Sequence, residues 1–249
     1  MPGQLKPLKW YKKLSDKKER LDAGVFLVEG PRAVVQIMSA APDSIVEILA
    51  TEDAIKIYSG YLTRLVTESQ LKSICSSQHP QGPVAVVSLP PEAYLPDMPH
   101  VTGGRVLLLE DVQDPGNVGA LIRSAAAFDF DGVILTPKCA DPFSPKCVQA
   151  SAGAVLSLWI RVIDDHYRAV NELKARGYKL IATDLAGGDD ISALAEARQI
   201  LALGNEANGL SPDLLYLADA RVSIPLNRQK AESLNVAACG AVCMFLSSR

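Results

Sequence analysis

The fold this sequence predicts is α/β in two parts, a small mixed domain and then a larger one built on a parallel sheet. Three observations predict it. After residue 104, five apolar runs, "RVLLLEDV", "GVILT", "KLIATDL", "ILALGN" and "RVSIPL", each give way to a loop and then a helical or turn-rich segment. Such alternation belongs to a parallel sheet with helices on both faces. Before residue 90, shorter strand-like and helix-like runs alternate on a smaller scale. Between the two lies "PPEAYLPDMPHVTGG", with four prolines in fifteen residues, which reads as a linker. The expected boundaries are therefore 1–90, a linker at 91–103, and 104–249.

Composition narrows the class. A chain of 249 residues with 48% hydrophobic content can bury one large core or two modest ones. The net charge of -3 excludes a generally basic nucleic-acid coat but leaves local patches open. No apolar stretch approaches a membrane span, and the start "MPGQLKPLKW" has no apolar signal core. The five cysteines are odd in number and lack Cys-x-x-Cys spacing, and the three histidines are scattered. Neither a disulfide framework nor a metal site is expected, and reduced thiols in a cytoplasmic protein are.

Taken in order, the chain opens with Lys6–Arg20, "KPLKWYKKLSDKKER", which carries seven positive and two negative residues around Trp10 and Tyr11. On charge alone this is a solvated helix face; with its aromatics it also suits RNA contact, through Lys12 and Lys13. "EGPRAVVQIMSAA", bearing Arg32, reads as a helix and "SIVEILAT" as a strand. "RLVTES" is a short strand, "QLKSICSS" a helix and "GPVAVVSL" a strand. In the second part, ligands of a parallel sheet bind outside the carboxyl ends of its strands. That directs attention to "QDPGNVG", "PKCADPFSPK", "AGGDD", "GNEANGLSPD" and "NRQKAESLN". A dinucleotide fold does not fit: there is no G-x-G-x-x-G and no Walker A sequence, and the glycines are spread over several late loops.

"DPGNVGALIRSA" (114–125), "LGNEANGLS" (203–211) and "IPLNRQKAESLNVA" (224–237) resemble the three motifs of the SpoU (TrmH-like) family, and "ASAGAV" (150–155) a further characteristic stretch. The front half resembles the family's L30e-like RNA-binding domain. The resemblance covers nearly the whole chain. It implies an RNA ribose 2'-O-methyltransferase of the SPOUT superfamily, using S-adenosylmethionine and no metal. It also implies a homodimer, and a deep trefoil knot in which the last segment threads an earlier loop. The residues independently say that "LNVAACGAVCMFL" is apolar on nearly every face, so it needs partners on two sides. Ala237, Ala238, Gly240 and Ala241 would permit close approach. A stripe containing some of Val236, Cys239, Cys243 and Phe245 is expected to meet a second subunit.

The resemblance also implies residue roles. Gly204, Ile224 and Leu234 would line the cofactor, with Leu185, Glu206 and Leu226 nearby; Ile224 and Leu226 alone would read as strand-end packing. Arg123 would touch the target ribose and the RNA, although by itself it reads as a surface ion pair. A guanidinium is always protonated, so stabilising a developing alkoxide is its expected role. Asn117 would shape its loop or touch the ribose. Glu206 would act as a capping acid or as an orienting partner. Ser233, which alone reads as a helix N-cap, and Asn235 would be active-site residues. Lys138, Lys146, Arg228 and Lys230 would add positive charge at the strand ends. The chain departs from the family at Leu226, where methionine is frequent, in lacking the glycine that often follows, and at Phe245, where tyrosine is common. The extra front domain favours ribosomal over transfer RNA, and a non-catalytic RNA-binding protein remains an alternative.

Overall fold

The computed structural model describes residues 6–77, 82–185, 188, 191–227, 229–230 and 232–248. These form two compact units, Met1–Pro91 with Asp141–Ser157, and Glu92–Ala140 with Leu158–Arg249.

In the first unit, α1 (Leu8–Lys13) and α2 (Lys17–Ala23) lead to β1 (Val25–Glu29), α3 (Pro31–Ala40), β2 (Ile45–Ala50) and α4 (Glu52–Ile55). β3 (Thr63–Leu65), α5 (Glu68–Ile74) and β4 (Val84–Ser88) complete the run. The sheet order is β1-β4-β2-β3, with only the β2·β3 pair parallel. The Asp16 side chain caps α2, and Gly24 ends it at φ 66°, a turn that costs glycine no Cβ strain. A capping box between Thr67 and Gln70 starts α5.

The aromatic half of the basic run is structural. Tyr11 is fully buried in a core with Leu14, Leu71 and Ile74. Its hydroxyl donates to Glu47 at 2.8 Å and accepts from Arg64 at 3.0 Å. Arg20 is 2% exposed, donating to the Leu14 and Ser15 carbonyls and pairing with Asp141 Oδ2 at 2.7 Å. Lys12, Lys13 and Arg32 remain exposed.

Residues 141–157, which the sequence assigns to the second domain, pack into the first unit. They include α7 (Pro145–Ala150), set against β1. Phe143 is buried beside Phe26, and Gly153 (φ 87°) approaches the Ala33 carbonyl so closely that a Cβ would sit 2.7 Å from it.

The second unit carries six parallel strands in the order β10-β8-β9-β5-β6-β7. They are β5 (Arg105–Leu109), β6 (Gly132–Leu135), β7 (Trp159–Val162), β8 (Lys179–Thr183), β9 (Gln199–Leu203) and β10 (Ala220–Val222). Its helices are α6 (Pro115–Ala127), α8 (His166–Ala175), α9 (Pro212–Leu217) and α10 (Val236–Ser247). Val106, Leu108, Ile134, Leu180, Ile200 and Ala202 fill the core on one face with Val170 and Leu173 of α8.

Five strands fall on the five apolar runs. The sixth, β7, is interrupted by Arg161, whose guanidinium is satisfied by the Asp97 and Ile160 carbonyls. Those contacts also correct the linker. Residues 92–103 form a strap on the second unit, with Met98 in its core and the Pro96, Pro99 and Thr102 carbonyls accepting from Arg168, Arg176 and Trp159. Its prolines offer carbonyls without competing donors.

α10 packs on α6 and β9. A Cβ on Gly240 would lie 2.3 Å from Leu121 Cδ2 and 2.7 Å from Leu203 Cδ1, so the close approach requires glycine. The helix is not buried all round: Ala238, Val242 and Phe245 are exposed, Phe245 by 40%. Cys243, expected on the uncovered stripe, is 1% exposed, because the stripe lies one residue earlier, at Val242.

Candidate functional site

The carboxyl ends of β8, β9 and β10, with the start of α10, enclose a cavity of about 390 Å³. Thr183 to Leu185 line it after β8, Leu203 to Leu210 after β9, and Val222 to Ile224 with Leu226 after β10. Ser233 to Val236, Cys239 and Cys243 complete the wall. All five residues expected to hold a cofactor (Leu185, Gly204, Ile224, Leu226 and Leu234) are there, as are Glu206, Ser233 and Asn235.

The loop after β9 is a tight hairpin. Asn205 and Gly209 exchange two backbone hydrogen bonds of 3.0 and 2.9 Å, and Asn205 Oδ1 accepts from Ala207 and Asn208 N–H. Gly204 is required for this fold-back: a Cβ would lie 2.1 Å from the Gly209 carbonyl carbon. The same asparagine donates through Nδ2 to the Asp111 carbonyl at 2.9 Å, tying the hairpin to the segment after β5.

Three loops then meet through side chains. Asn117 Nδ2 donates to Glu206 Oε1 at 2.9 Å, and Asn235 Nδ2 donates to Asn117 Oδ1 at 3.0 Å. Burial pushes the Glu206 carboxyl up, but the Asn117 amide and backbone N–H groups together hold it below its ordinary range. Asn117 is placed by its own N–H, which donates to Asp114 Oδ1, the cap of α6. Asn235 caps α10, its Oδ1 accepting from Ala237 and Ala238 N–H. The cap is thus Asn235 and not Ser233, which stands two residues earlier on the cavity wall.

Arg123 is not brought to this cavity. It is exposed on α6, six residues past Asn117, and is absent from the lining. Lys138 lies beyond β6 and pairs with Asp111 at 3.2 Å. Lys146 falls in the first unit, on α7, and Lys230 is exposed. Arg228 and most of "AGGDD" lie outside the described residues. Asn205 lines the cavity without having been singled out, and Cys239 and Cys243 line it although they were expected on the stripe facing a second subunit. For the cysteines a signal existed: 235, 239 and 243 recur every four residues, which places them on one helix face. Among the described residues no group of three His, Cys, Asp or Glu is gathered as a metal would need.

Residues 104–245 match the SpoU rRNA Methylase family, and residues 6–85 match the MRM3-like substrate binding domain. The 23S rRNA (guanosine(2553)-2'-O)-methyltransferase RlmP of Bacillus subtilis is 32% identical over 243 residues, spanning 96% of this chain and 94% of that one. Among solved structures, the SpoU methyltransferase AviRb of Streptomyces viridochromogenes, in complex with the cofactor AdoMet, is similar with a TM-score of 0.83 at 26% identity. The likeness covers 99% of this chain and 98% of AviRb. A putative RNA methyltransferase of the TrmH family from Porphyromonas gingivalis gives a TM-score of 0.82 at 30% identity, covering 99% and 98%. A parallel sheet with two of the motifs lining one cavity and the third hydrogen-bonded to both through Asn117, matched in sequence along nearly its whole length, leaves one assignment: the chain belongs to the SpoU rRNA methylase family.

Proposed function

We propose that this SpoU methyltransferase holds S-adenosylmethionine in the cavity at the ends of β8, β9 and β10, and methylates a ribose 2'-hydroxyl of ribosomal RNA. The observation that carries the reading is the line Glu206–Asn117–Asn235, which draws the three motif loops together at the cavity. The cavity suits the ligand. Its 390 Å³ falls in the roughly 300–1,000 Å³ range of small-ligand sites. Leu203, Leu210 and Val222 offer apolar surface, and Asn205, Glu206 and Asn235 offer polar atoms. When bound, S-adenosylmethionine supplies a methyl group on a sulfonium that departs as a neutral thioether.

The chain's own work is to bind, orient and stabilise charge. The hydrogen-bonded loops hold fixed positions, which lowers the entropic part of the barrier. Arg123, permanently protonated, stabilises the charge developing on the 2'-oxygen, and the hydroxyl proton passes to solvent or RNA phosphate. Its exposure and its absence from the cavity lining of its own chain support a homodimer in which Arg123 of one subunit serves the other's cofactor. The exposed Ala238, Val242 and Phe245 face of α10 supports the same assembly, since a two-fold axis would cover it. A trefoil knot placing α10 is supported by the family resemblance and by the double packing at Gly240.

The first unit is read as the RNA-holding domain, with exposed Lys12, Lys13 and Arg32 meeting phosphate. The cytoplasm is the proposed compartment; no helix among the described residues is long and apolar enough to cross a membrane. Ribosomal RNA from cells with and without the protein, mapped for 2'-O-methylation, tests the function. One ribose site should disappear with the protein, and an unchanged map, or loss of a base methyl instead, would refute it.

A further inference from the structure

One residue past β5, a cluster of buried polar groups stands apart from the line of side chains described above. Glu110 is 6% exposed, and its carboxylate accepts three hydrogen bonds. Ser211 N–H reaches Oε2 at 2.6 Å, Ser211 Oγ reaches Oε1 at 2.7 Å, and His166 Nε2 lies 3.1 Å from Oε1. Ser211 Oγ in turn accepts from Leu214 N–H, as the cap of α9, and from the Tyr167 hydroxyl at 3.0 Å. His166 Nδ1 is buried with no hydrogen-bond partner.

These contacts fix the direction of each bond. A carboxylic acid at Glu110 would present a proton where donors already point, so Glu110 is the carboxylate and His166 Nε2–H, Ser211 N–H and Ser211 Oγ–H all donate to it.

The geometry acquires meaning from the chain's order. Ser211 ends the loop 204–210 that walls the cavity. The near end of that loop, Asn205, is tied to the carbonyl of Asp111. Consecutive residues, Glu110 and Asp111, therefore hold the two ends of one hairpin. Asp111 is itself held in a left-handed conformation (φ 57°), its N–H donating to Thr136 Oγ1 at 2.8 Å and its Oδ1 accepting from that hydroxyl at 2.6 Å.

We propose that Glu110, oriented by His166, is a positioning residue for cofactor binding, clamping the far end of the hairpin that carries Glu206 and forms one wall of the cavity. It touches neither reacting group. The proposal rests on the cavity being the S-adenosylmethionine site.

Kinetics of the full-length protein test it. Glu110→Gln keeps the shape but turns an amide toward donors. It should raise KM and Kd for S-adenosylmethionine by roughly five- to hundredfold, the consequence of leaving buried donors without an acceptor. At saturating cofactor, kcat should stay within about threefold and RNA affinity should hold, the pattern of lost ground-state binding. An unchanged cofactor KM, or a fall in kcat alone, would overturn the clamp, as would an equal weakening of RNA and cofactor. Should Glu110→Gln fail to fold, a second pair decides. His166→Phe, which lacks the donor, should raise the cofactor KM, and His166→Gln, which restores one, should return it; equal values would overturn the proposal. Ile224→Trp, which fills the cavity, separates the two claims. Normal cofactor affinity there refutes the cavity assignment, whereas lost affinity there beside an unaffected Glu110→Gln refutes only the clamp.

Discussion

Asn235 does two things with one side chain: its carbonyl oxygen caps α10 and its amide nitrogen holds Asn117. Asn235→Ala should therefore cost about 1 kcal/mol of stability through the lost cap, read as a melting temperature lower by roughly 2–4 °C. It should also weaken cofactor binding, because the loops lose their link. Arg123→Ala should do the reverse. The side chain is exposed and outside the cavity, so melting temperature and cofactor affinity should stay near wild type while methyl transfer is abolished; near-normal turnover would remove Arg123 from the mechanism. Acid should act through Glu110. Burial raises its pKa, but the His166 and Ser211 hydrogen bonds prevail and lower it overall. A carboxyl whose folded pKa is depressed gives stability that is present above its unfolded value, near ~4.3, and is lost as pH falls through the folded one. The melting temperature should hold from neutrality to about pH 5 and fall below it, less steeply in Glu110→Gln. Asn117, Glu206 and Asn235 were singled out through the family resemblance of their motifs; that the three side chains hydrogen-bond to one another was not visible in the sequence. The roles of Tyr11 and Arg20 were not visible either. A basic run shows charge, but only the fold supplies Glu47 and Asp141 as their partners.

At the scale of the element, α10 combines a closely packed face with an open one. Gly240→Val would press a branched side chain into Leu121 and Leu203. Overpacking of that kind costs about 1–3 kcal/mol, and a lower urea midpoint would register it. Val242→Glu and Phe245→Glu lie on the exposed face. They should leave the fold intact while light scattering shows a dimer turned monomer and activity falls with it; a stable, active wild-type monomer at micromolar concentration would contradict both the interface and the shared site. Cys243→Glu is the wrong probe, since it would bury a charge. Apolar periodicity revealed that this helix is greasy on most faces, but not which stripe stays open, because that depends on where Leu121 and Leu203 come to rest. β7 was hidden for a related reason. "WIRV" carries a charge that the strap carbonyl of Asp97 and the strand's own Ile160 carbonyl satisfy, and the strap itself looked like a linker because prolines mark turns and packed extended chain alike.

For the whole molecule, the excursion 141–157 matters most. The five strand runs implied one uninterrupted second domain, and nothing in "DPFSPKCVQASAGAV" states that Phe143, Cys147 and Val148 are buried in the first unit. A fragment 92–249 keeps the strap yet leaves those side chains without their core, so it should aggregate or melt far below the full chain; a soluble fragment of native stability would mean the excursion contributes little. Charge tests the other half. Reversing Lys12, Lys13 and Arg32 together should weaken RNA binding and reduce its log–log salt slope by about 2–3, given roughly 0.7–0.9 per phosphate contact. An unchanged slope would move the RNA surface elsewhere. The central claim is transfer of a methyl group to a ribose oxygen. It is tested most directly by incubating the protein with S-adenosylmethionine labelled in its methyl group and a ribosomal RNA fragment, then repeating the reaction with the target nucleotide in its 2'-deoxy form. The label should appear on one ribose and vanish with the deoxy substitution; label that persists, or that lies on a base, would contradict the account.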